Sequence, residues 1–576
     1  MRRDVLLLLS IIIVGYSLFG GLYLAGTAVH GKLATTDGGD GLETGRVTGA
    51  EPDGGLARPF QFEPVDAGFQ YEYAARAPKG HMRTLSNAGV YAGDYDDDGW
   101  TDLLAVGGEN PVLFENTGGS FEPSGALPSI ERPVRSATFL DYNRDGRVDI
   151  LLLADGSEPL LLENVEGHYE KRDAFDRPLA VPYGATVADY NRDGCPDLFV
   201  YQNGDWSERV PVGFENYSVA VGEGNGNPNY LYRGTCSGFE RVSLGGRERN
   251  RWSLAASFVD LTGDDLPEIH VANDINHDVL YVNQGNGSFR AKDLPDRTNR
   301  NGMSSEVADL TRDGRLDVFV TNIYYPKWAA EEINSGLVLK AQGNNLVANH
   351  GNATFVERAT QYDINGGGWG WAAVAADFDN DGDEDLFHTT RRVDFDRRDV
   401  LFSDRQLERL NEMAFYRYPA VWARDGLSFT GVSANQSGFE AMNGRGVARL
   451  DFDNDGDLDL AVATIDGYQF YENRADSGSS LQVRVLGTEG ATAYGATVTV
   501  IARNETQRRR VHARTDFLSQ DSRLAHVGLG NATRADVRVT WPDGTVRTVE
   551  GVATGQRLVV RPGEPVRRRS LDGTAD

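Results

Sequence analysis

The sequence predicts an all-β protein: a seven-bladed β-propeller, a small C-terminal β domain, and an N-terminal helix that spans a membrane or serves as an export signal. Three observations support this prediction. An acidic loop of nine residues occurs seven times. The loops start 47 to 74 residues apart, around a basic unit near 48 residues, which is typical of a repeat of supersecondary units. Each loop lies between two short apolar strand patterns, and two more usually follow.

The chain begins with an apolar segment. Residues 5–29 carry no charge, which makes the segment long enough to cross a bilayer. Residues 1–30 are therefore predicted to be an uncleaved signal anchor, with a signal peptide cleaved near residues 25–28 as the alternative. Because Arg2 and Arg3 favour the cytoplasmic side, everything after residue 30 is expected outside the cell, either anchored by this helix or secreted.

Residues 31–59 are rich in Gly, Thr and acidic residues, which predicts a flexible acidic linker. The propeller is predicted over residues 60–477. Residues 60–73 alternate enough to form a strand, and loop 7 has no obvious fourth strand of its own before residue 477. The N-terminal strand is therefore expected to pair with the last blade and close the ring.

The seven loops are predicted to bind Ca²⁺. Oxygen-bearing side chains stand at positions one, three, five and nine, and calcium takes six to eight oxygen ligands. Six of the seven loops have Gly at position six, which lets the backbone wrap around an ion. The predicted ligands are Asp94, Asp96, Asp98 and Asp102 (loop 1); Asp141, Asn143, Asp145 and Asp149 (loop 2); Asp189, Asn191, Asp193 and Asp197 (loop 3); Asp260, Thr262, Asp264 and Glu268 (loop 4); Asp309, Thr311, Asp313 and Asp317 (loop 5); Asp377, Asp379, Asp381 and Asp385 (loop 6); and Asp451, Asp453, Asp455 and Asp459 (loop 7).

An EF-hand is the alternative for such loops, and two features exclude it. Position twelve is not Glu in any copy, and the flanking patterns are those of strands rather than helices. Loop 4 departs most from the pattern, with Asp265 where the other loops have Gly, and is expected to bind calcium most weakly. Loops 1, 6 and 7 have Asp at all four positions and are expected to bind it most tightly.

Three insertions lengthen the repeats, at about residues 203–229, 322–345 and 389–426. Long insertions on a regular scaffold are where binding specificity often resides, with surface decoration as the alternative. The two cysteines, Cys195 in loop 3 and Cys236 in a later turn of the same blade, fall on the same rim of an up-and-down blade. The sequence predicts a Cys195–Cys236 disulfide, with two buried free thiols as the alternative.

After residue 477 the repeats end. Residues 478–563 contain alternating strands such as residues 481–485, 496–501 and 536–541, and are predicted to form a compact β domain. Residues 564–576 are predicted to be a disordered tail.

The repeats and the C-terminal segment each resemble a known family. The loops and their flanking strands, over about residues 88–475, resemble FG-GAP/VCBS calcium-binding propeller repeats, the type also found in integrin heads. The C-terminal segment resembles an ASPIC/UnbV domain in Tyr494-Gly-Ala496, Leu518-Ser-Gln520, Gly528-Leu-Gly530 and Trp541-Pro-Asp-Gly544. Together they resemble the cartilage acidic protein family, which implies an extracellular protein.

The net charge is −28, and 29 of the 85 acidic residues lie in the seven loops. The acidity therefore has a local cause, and nucleic acid is not expected as a partner. The sequence contains no H-E-x-x-H, C-x-x-C or G-x-S-x-G motif. A non-enzymatic module is expected, for adhesion or for recognition of a surface protein or glycan. A carbohydrate-active enzyme, either a polysaccharide lyase or a hydrolase on a calcium propeller, is the alternative, and would need a catalytic cluster in the central channel.

Overall fold

A computed structural model describes residues 61–71 and 88–571, with gaps at 109, 205–225, 246–249, 275, 295–300, 325–341, 391–417, 476–477 and 514. The predicted N-terminal helix, the linker and most of the three insertions lie outside these residues. Within the described part, no helix has the length and apolar character needed to cross a membrane. The described chain is all-β, apart from a one-turn helix α1 (Ala434–Ser437) and a 3-10 turn (Thr488–Gly490).

Seven antiparallel sheets carry the seven loops, one loop to each sheet. Sheets 1 to 3 consist of β2 (Gly89–Gly93), β3 (Asp102–Val106), β4 (Val112–Asn116) and β5 (Phe121–Pro123); β6 (Ser136–Leu140), β7 (Asp149–Leu153), β8 (Leu160–Val165) and β9 (His168–Arg172); and β10 (Pro182–Ala188), β11 (Asp197–Gln202), β12 (Tyr230–Gly234) and β13 (Phe239–Val242). Sheets 4 to 6 consist of β14 (Trp252–Val259), β15 (Glu268–Asp274), β16 (Val279–Asn283) and β17 (Phe289–Asp293); β18 (Glu306–Ala308), β19 (Asp317–Val320), β20 (Asn345–Asn349) and β21 (Phe355–Glu357); and β22 (Gly370–Ala376), β23 (Asp385–Thr390), β24 (Ala420–Asp425) and β25 (Ser428–Gly431). Sheet 7 consists of β26 (Gly444–Leu450), β27 (Asp459–Thr464), β28 (Gly467–Asn473) and β1 (Phe62–Val65).

The fourth strand of sheet 7 comes from the other end of the chain, as the sequence predicted. Strand β1 pairs with β28 in a register that places Phe62 opposite Asn473 and Val65 opposite Phe470. The Phe62 ring is buried and stacks on Phe439, with ring centroids 4.7 Å apart. The pairing joins the first described strand to the last repeat and gives sheet 7 the same four strands as the others.

The first strands of the seven sheets form a closed circuit. Each of β2, β6, β10, β14, β18 and β22 contacts the first strand of the following sheet, and β26 contacts β2. These strands consist mostly of small and buried residues, which allows them to approach one another. We call the arrangement the ring.

The C-terminal segment forms two further sheets. One has the order β34 (Ala525–Gly528), β29 (Ser480–Val485), β37 (Gln556–Val560) and β38 (Arg567–Ser570), and the other has the order β31 (Glu505–Arg510), β30 (Thr497–Ala502), β35 (Arg534–Thr540) and β36 (Val546–Ala553). Their facing sides share one apolar core that includes Val483, Val498, Val537 and Leu558. This segment is called the C-terminal domain below.

The prediction of a disordered tail from residue 564 is wrong for its first part. Strand β38 pairs with β37, so that Arg567 lies opposite Val559 and Ser570 opposite Gln556. Arg569 also lies over the ring of Trp100 in loop 1, 5.0 Å from its centroid. The run of arginines looks like a solvated tail in the sequence, but its backbone completes a sheet, and the Arg569 side chain has partners that are distant in sequence. Residues 572–576 lie outside the described part.

A hairpin of the C-terminal domain occupies the centre of the ring. It consists of β32 (Thr515–Asp516) and β33 (Ser519–Gln520), and β33 adds to β2 as a parallel neighbour. Its tip residues Phe517 and Leu518 are completely buried. The predicted boundary at residue 478 therefore separates two units in sequence only, because part of the second lies inside the first.

The hairpin contacts every sheet of the ring. Its hydrogen bonds reach Val90, Phe139, Tyr201, Ala256, Ser305 and Ala373 in sheets 1 to 6, and β33 contacts β26 of sheet 7, where Asp521, directly after the hairpin, accepts from Arg449. The Asp516 carboxylate accepts from the backbone N–H groups of Ser305 and Ala373, both at 2.7 Å. A single side chain thus bridges sheets 5 and 6.

Candidate metal centres

Each acidic loop connects the first strand of its sheet to the second, so all seven lie on one rim of the ring. We call this the loop rim. Two residues of every loop adopt the left-handed backbone region. They stand at positions four and six: Asp97 and Gly99, Arg144 and Gly146, Arg192 and Gly194, Gly263 and Asp265, Arg312 and Gly314, Asn380 and Gly382, and Asn454 and Gly456. These two turns bring alternate side chains towards one point.

The carboxylate at position nine fixes the loop to its own sheet. In loop 1, Asp102 accepts hydrogen bonds from the backbone N–H groups of Tyr95, inside the loop, and Asn116, at the end of the third strand, both at 2.9 Å. The same pair of bonds recurs in loops 2, 3, 6 and 7. Position nine therefore supports the fold whether or not a metal ion is present.

In loops 1, 6 and 7 the carboxylates converge. One oxygen from each of positions one, three and nine lies within 4.8 Å of the others: Asp94, Asp96 and Asp102; Asp377, Asp379 and Asp385; and Asp451, Asp453 and Asp459. Two oxygens bound to one calcium ion at about 2.3–2.6 Å can be at most about 5 Å apart, so these spacings suit the ion.

The position-one carboxylates provide a second sign of a metal site. In loops 1, 2, 6 and 7 the Oδ1 atom is buried without a hydrogen-bond partner in the described structure: Asp94, Asp141, Asp377 and Asp451. A buried oxygen of this kind is costly unless something binds it. Because the oxygen belongs to a group of hard oxygen donors, the residues present fit a bound Ca²⁺ ion.

Loops 3, 4 and 5 are arranged differently. Both oxygens of their position-one carboxylates already accept backbone N–H groups of the same loop. Asp189 binds the amides of Asp193 and Gly194, and Asp309 binds those of Asp313 and Gly314. In loop 4, Asp260 binds Gly263 and Asp265 in the same way. An ion would have to displace or share these bonds, so loops 3–5 are less prepared for metal.

Loop 4 has its glycine in a different place from the other loops. Gly263 takes the left-handed position four, and Asp265, with a φ of 65°, takes position six. Asp265 also forms an ion pair with Arg510 of the C-terminal domain at 3.0 Å. The backbone position of Asp265 and its ion pair with Arg510 both direct the Asp265 carboxylate away from an ion in loop 4. Loop 2 is intermediate, because the Asp145 carboxylate is paired with Arg147 at 2.5 Å.

Burial raises the pKa of the carboxylates at position nine. The pKa of Asp102 rises to about 9 and that of Asp149 to about 8, because desolvation disfavours their charged forms and neighbouring carboxylates add to the effect. Asp197 and Glu268 shift the same way, to pKa values of about 8 and about 7. A bound cation would favour the ionised forms, which matches the chemistry of a divalent site.

We predict an order of calcium affinity from this geometry. Loops 1, 6 and 7 should fill first, and loop 4 should fill last or not at all. Calorimetric titration of the chelated protein should show three tight sites, and Asp96→Ala, Asp379→Ala and Asp453→Ala should each remove one. Glu122→Ala, an exposed change in sheet 1, is the control. Early filling of loop 4, detected by loss of an early site in Asp264→Ala, would contradict this order.

An asparagine at the end of the third strand in five of the sheets was not among the predicted site residues. Its side-chain N–H₂ donates to a backbone carbonyl in a loop of the neighbouring sheet, as in Asn116 to Phe452 (2.7 Å) and Asn164 to Tyr95 (2.7 Å). The equivalent donors and acceptors elsewhere are Asn283 to Tyr190, Asn349 to Leu261, and Asn473 to Phe378. Asn recurs at the end of the third strand in these repeats, and this recurrence could have identified the residue from the sequence.

Asn116→Ala should destabilise the protein by about 2–3 kcal/mol, because it leaves the buried carbonyls of Phe452 and Thr101 without this donor. Urea denaturation in calcium would measure the loss. The exposed Glu122→Ala change in the same sheet should stay within about 0.5 kcal/mol. Equal stability of the two variants would show that these bonds between sheets contribute little.

The two cysteines and the buried histidine of sheet 4 have structural rather than catalytic contacts. Cys195 and Cys236 are joined in a disulfide with their Cα atoms 5.1 Å apart, between loop 3 and the turn after β12. His270 is completely buried, and its Nδ1 is hydrogen-bonded to Ser305 Oγ at 2.7 Å. Burial lowers the pKa of His270 to about 3, so it is neutral at ordinary pH.

Two families match the chain. The FG-GAP-like repeat family matches residues 94–152, 141–200, 260–320 and 337–388, and the ASPIC and UnbV family matches residues 487–567. Among curated proteins, cartilage acidic protein 1 of Xenopus tropicalis is 25% identical over 306 residues, and that of Mus musculus is 27% identical over 299 residues. These alignments cover 50% and 48% of this chain, but only 41% and 40% of the relatives. The chain therefore spans about two fifths of their length.

Solved structures add a weaker likeness. A streptogramin B lyase structure aligns with a TM-score of 0.39 and 10% identity, covering 72% of this chain and 98% of that one. A TM-score this low does not establish a common fold.

Proposed function

Because the chain matches the cartilage acidic protein-like family in its FG-GAP-like repeats and its ASPIC/UnbV domain, we propose that it is an extracellular, calcium-stabilised binding module. Each of the seven sheets is one blade of a seven-bladed β-propeller, closed by the pairing of β1 with β28. Its role is adhesion, or recognition of a surface protein or glycan.

Calcium has a structural part in this proposal. Loops 1, 6 and 7 would hold the first ions through their converged aspartates, and up to seven ions would bind at high calcium concentration. The ions would supply positive charge to a rim that concentrates much of the acidity of the chain. Protein ligands approach from several directions, which is typical of a structural ion rather than an open catalytic one.

The position of the three insertions is the observation that carries the binding proposal. Each leaves the second strand of its blade and returns at the third: from β11 to β12, from β19 to β20, and from β23 to β24. In an antiparallel blade this connection lies on the rim opposite the acidic loops. The described contacts of the C-terminal domain with the acidic loops lie on the loop rim, whereas the described ends of the three insertions lie on the opposite rim.

The polysaccharide-cleaving alternative would need acid and base groups in an accessible channel. The centre of the ring instead holds the buried tip of the hairpin, where Phe517 packs against Trp371 with ring centroids 4.8 Å apart. This observation favours the binding module over the enzyme. The N-terminal segment, if it spans the membrane as its sequence predicts, would present the module at the cell surface.

A combined binding and cleavage screen tests the proposal. The full chain, with calcium, would be applied to a glycan array and a panel of surface proteins, and incubated with the same glycans to detect cleavage. We expect binding without cleavage. Replacing residues 205–225, 325–341 or 391–417 with a Gly-Ser linker should abolish binding in at least one variant, with melting temperature and calcium stoichiometry unchanged.

The control is Arg538→Ala, an exposed change on the C-terminal domain away from the insertions. Its binding should equal that of the unaltered protein. Release of shortened glycan products, or binding that survives all three replacements, would contradict the assignment to this rim.

A further inference from the structure

The C-terminal domain has the opposite charge from the rest of the chain. Residues 478–571 contain 15 Arg and no Lys against eight Asp or Glu, whereas the whole chain carries a net charge of −28. This basic domain lies on the acidic loop rim. Its arginines form ion pairs there, such as Arg484 with Asp94 at 3.0 Å and Arg510 with Asp260 at 2.9 Å.

Neutral groups of the domain also contact the loops, and they bind the position-one carboxylates in a regular way. In loop 7, Gln482 Nε2 donates to Asp451 Oδ2 at 2.5 Å. In loop 2, the backbone N–H of Thr492 donates to Asp141 Oδ2 at 2.9 Å. In both loops Oδ2 is thus engaged by the C-terminal domain, in loop 7 together with the backbone N–H of Gly456, while Oδ1 is the buried oxygen without a partner in the described structure.

The orientation of Gln482 is fixed by its own surroundings. The side chain is almost completely buried, and its Oε1 accepts from Arg557 Nε at 2.8 Å. Arg557 in turn donates to Asn454 Oδ1, inside loop 7, at 2.5 Å. Because Oε1 faces Arg557, the amide N–H₂ must face Asp451.

Loop 6 is closed by the domain as well. His526 Nε2 lies 2.7 Å from Asn380 Oδ1, and the backbone N–H of Gly530 donates to the Asn380 carbonyl at 2.7 Å. A Cβ atom on Gly528 would overlap the Asp377 carboxylate. The domain therefore packs directly on the position-one ligand of this loop.

We propose that the C-terminal domain completes the calcium sites of loops 2 and 7 from outside. Gln482 is the positioning residue for Asp451, and the Thr492 N–H has the same role for Asp141. Calcium binding and docking of the domain then favour each other. This inference rests on the proposed function to the extent that the loops bind calcium.

The physical reason is that the two oxygens of the position-one carboxylate have different roles. A neutral donor on Oδ2 holds the carboxylate in one rotamer and leaves Oδ1 aimed at the ion, without adding a charge that competes with it. Groups that orient a ligand from outside typically change metal affinity 10–100-fold. The coupling between two binding events is reciprocal. If docking of the domain increases calcium affinity by some factor, calcium must therefore increase the docking equilibrium by the same factor.

Arg484 provides a contrast. It donates to Asp94 Oδ2 at 3.0 Å and so brings a positive charge closer to its carboxylate than Arg557 does in loop 7, where Arg557 Nη2 lies 4.0 Å from Asp451 Oδ2. In loop 1, Arg484 therefore orients the Asp94 carboxylate but also repels a bound calcium ion, and the two effects on calcium affinity oppose each other. Arg484→Met should not weaken calcium binding, whereas Gln482→Met should.

The test measures calcium affinity in the full chain by calorimetric titration after chelation. Gln482→Met keeps the side-chain volume and removes the donor. We expect unchanged stoichiometry and an affinity at least tenfold weaker at one site. A double-mutant cycle with Asp453→Ala identifies that site, because Asp453 is a loop 7 ligand for which the structure shows no contact with the domain. In the Asp453→Ala background, Gln482→Met should leave the remaining affinities unchanged.

The reciprocal effect is measured by hydrogen exchange. Calcium should increase the protection of β29 and of the hairpin residues 515–520, and this increase should be smaller in Gln482→Met. If Gln482→Met does not fold, Thr492→Pro tests the proposal at loop 2, because proline has no backbone N–H to donate to Asp141. Calcium affinity would then be compared with and without Asp145→Ala, which removes a loop 2 ligand. A folded Gln482→Met protein with unaltered calcium affinity would overturn the inference, whereas an unaltered protein that binds no calcium would overturn the proposed calcium sites themselves.

Discussion

Chelating calcium is expected to lower the melting temperature of the protein by on the order of 10 °C at pH 8, and by very little near pH 4. Each ion bound only by the folded state stabilises it by about 2.7 kcal/mol when calcium is 100-fold above Kd. Loops 1, 6 and 7 would contribute three such terms. For a large domain, each kcal/mol shifts the melting temperature by a few degrees.

The pH dependence follows from the raised pKa values. An aspartate in an unfolded chain has a pKa near 3.9, whereas in the folded protein burial raises the pKa of Asp102 in loop 1 to about 9 and that of Asp451 in loop 7 to about 8. The folded state therefore holds protons that the unfolded state releases. In the chelated protein, this contribution to stability is fully present below about pH 4 and is lost as the pH rises through the folded pKa values.

Calcium reverses this trend because it binds the ionised carboxylates. The difference in melting temperature between calcium and chelator should therefore grow from pH 4 to pH 8. Calorimetric scans across this range measure it. A triple variant with Asp96→Ala, Asp379→Ala and Asp453→Ala is the matched control and should respond much less to chelation. A chelation effect that is equal at pH 4 and pH 8 would contradict the role given to these carboxylates.

Phe517→Ala should destabilise the protein by about 3–5 kcal/mol, the usual cost of removing a buried phenyl ring. The ring is completely buried at the tip of the hairpin, with Trp371 at 4.8 Å and Tyr183 at 5.8 Å between centroids. The cavity would open at the centre of the ring, where hydrogen-bonded strands from several sheets leave little freedom to collapse. Urea midpoints at constant slope, measured in calcium, give the difference in free energy of unfolding.

Leu427→Ala is the matched control, because Leu427 is 66% exposed at a turn of sheet 6. It should change stability by less than about 0.5 kcal/mol. If Phe517→Ala cost less than about 1 kcal/mol, the hairpin would not be a stabilising plug in the ring.

The repeated part of the fold could be predicted from the sequence because its information is local. Each loop, its two flanking strands and its turn glycine lie within a few tens of residues, and seven copies make the pattern unambiguous. The role of β1 also followed, since the last repeat lacked a fourth strand and one strand-like segment was left unpaired. The same argument by position placed Cys195 and Cys236 on one rim, where the structure joins them.

The tertiary structure alone decided which carboxylates remain open to an ion. Asp189 and Asp451 occupy the same position of the same motif, yet one is closed by its own loop and the other has an unpartnered oxygen. The other oxygen of Asp451 accepts from Gln482, 31 residues away in the C-terminal domain. Likewise, the Leu518-Ser-Gln520 segment, which carries part of the ASPIC/UnbV resemblance, fills the ring through contacts with residues as distant in sequence as Val90. Local sequence patterns determine backbone elements, whereas burial and hydrogen-bond partners depend on distant segments that meet only after the chain has folded.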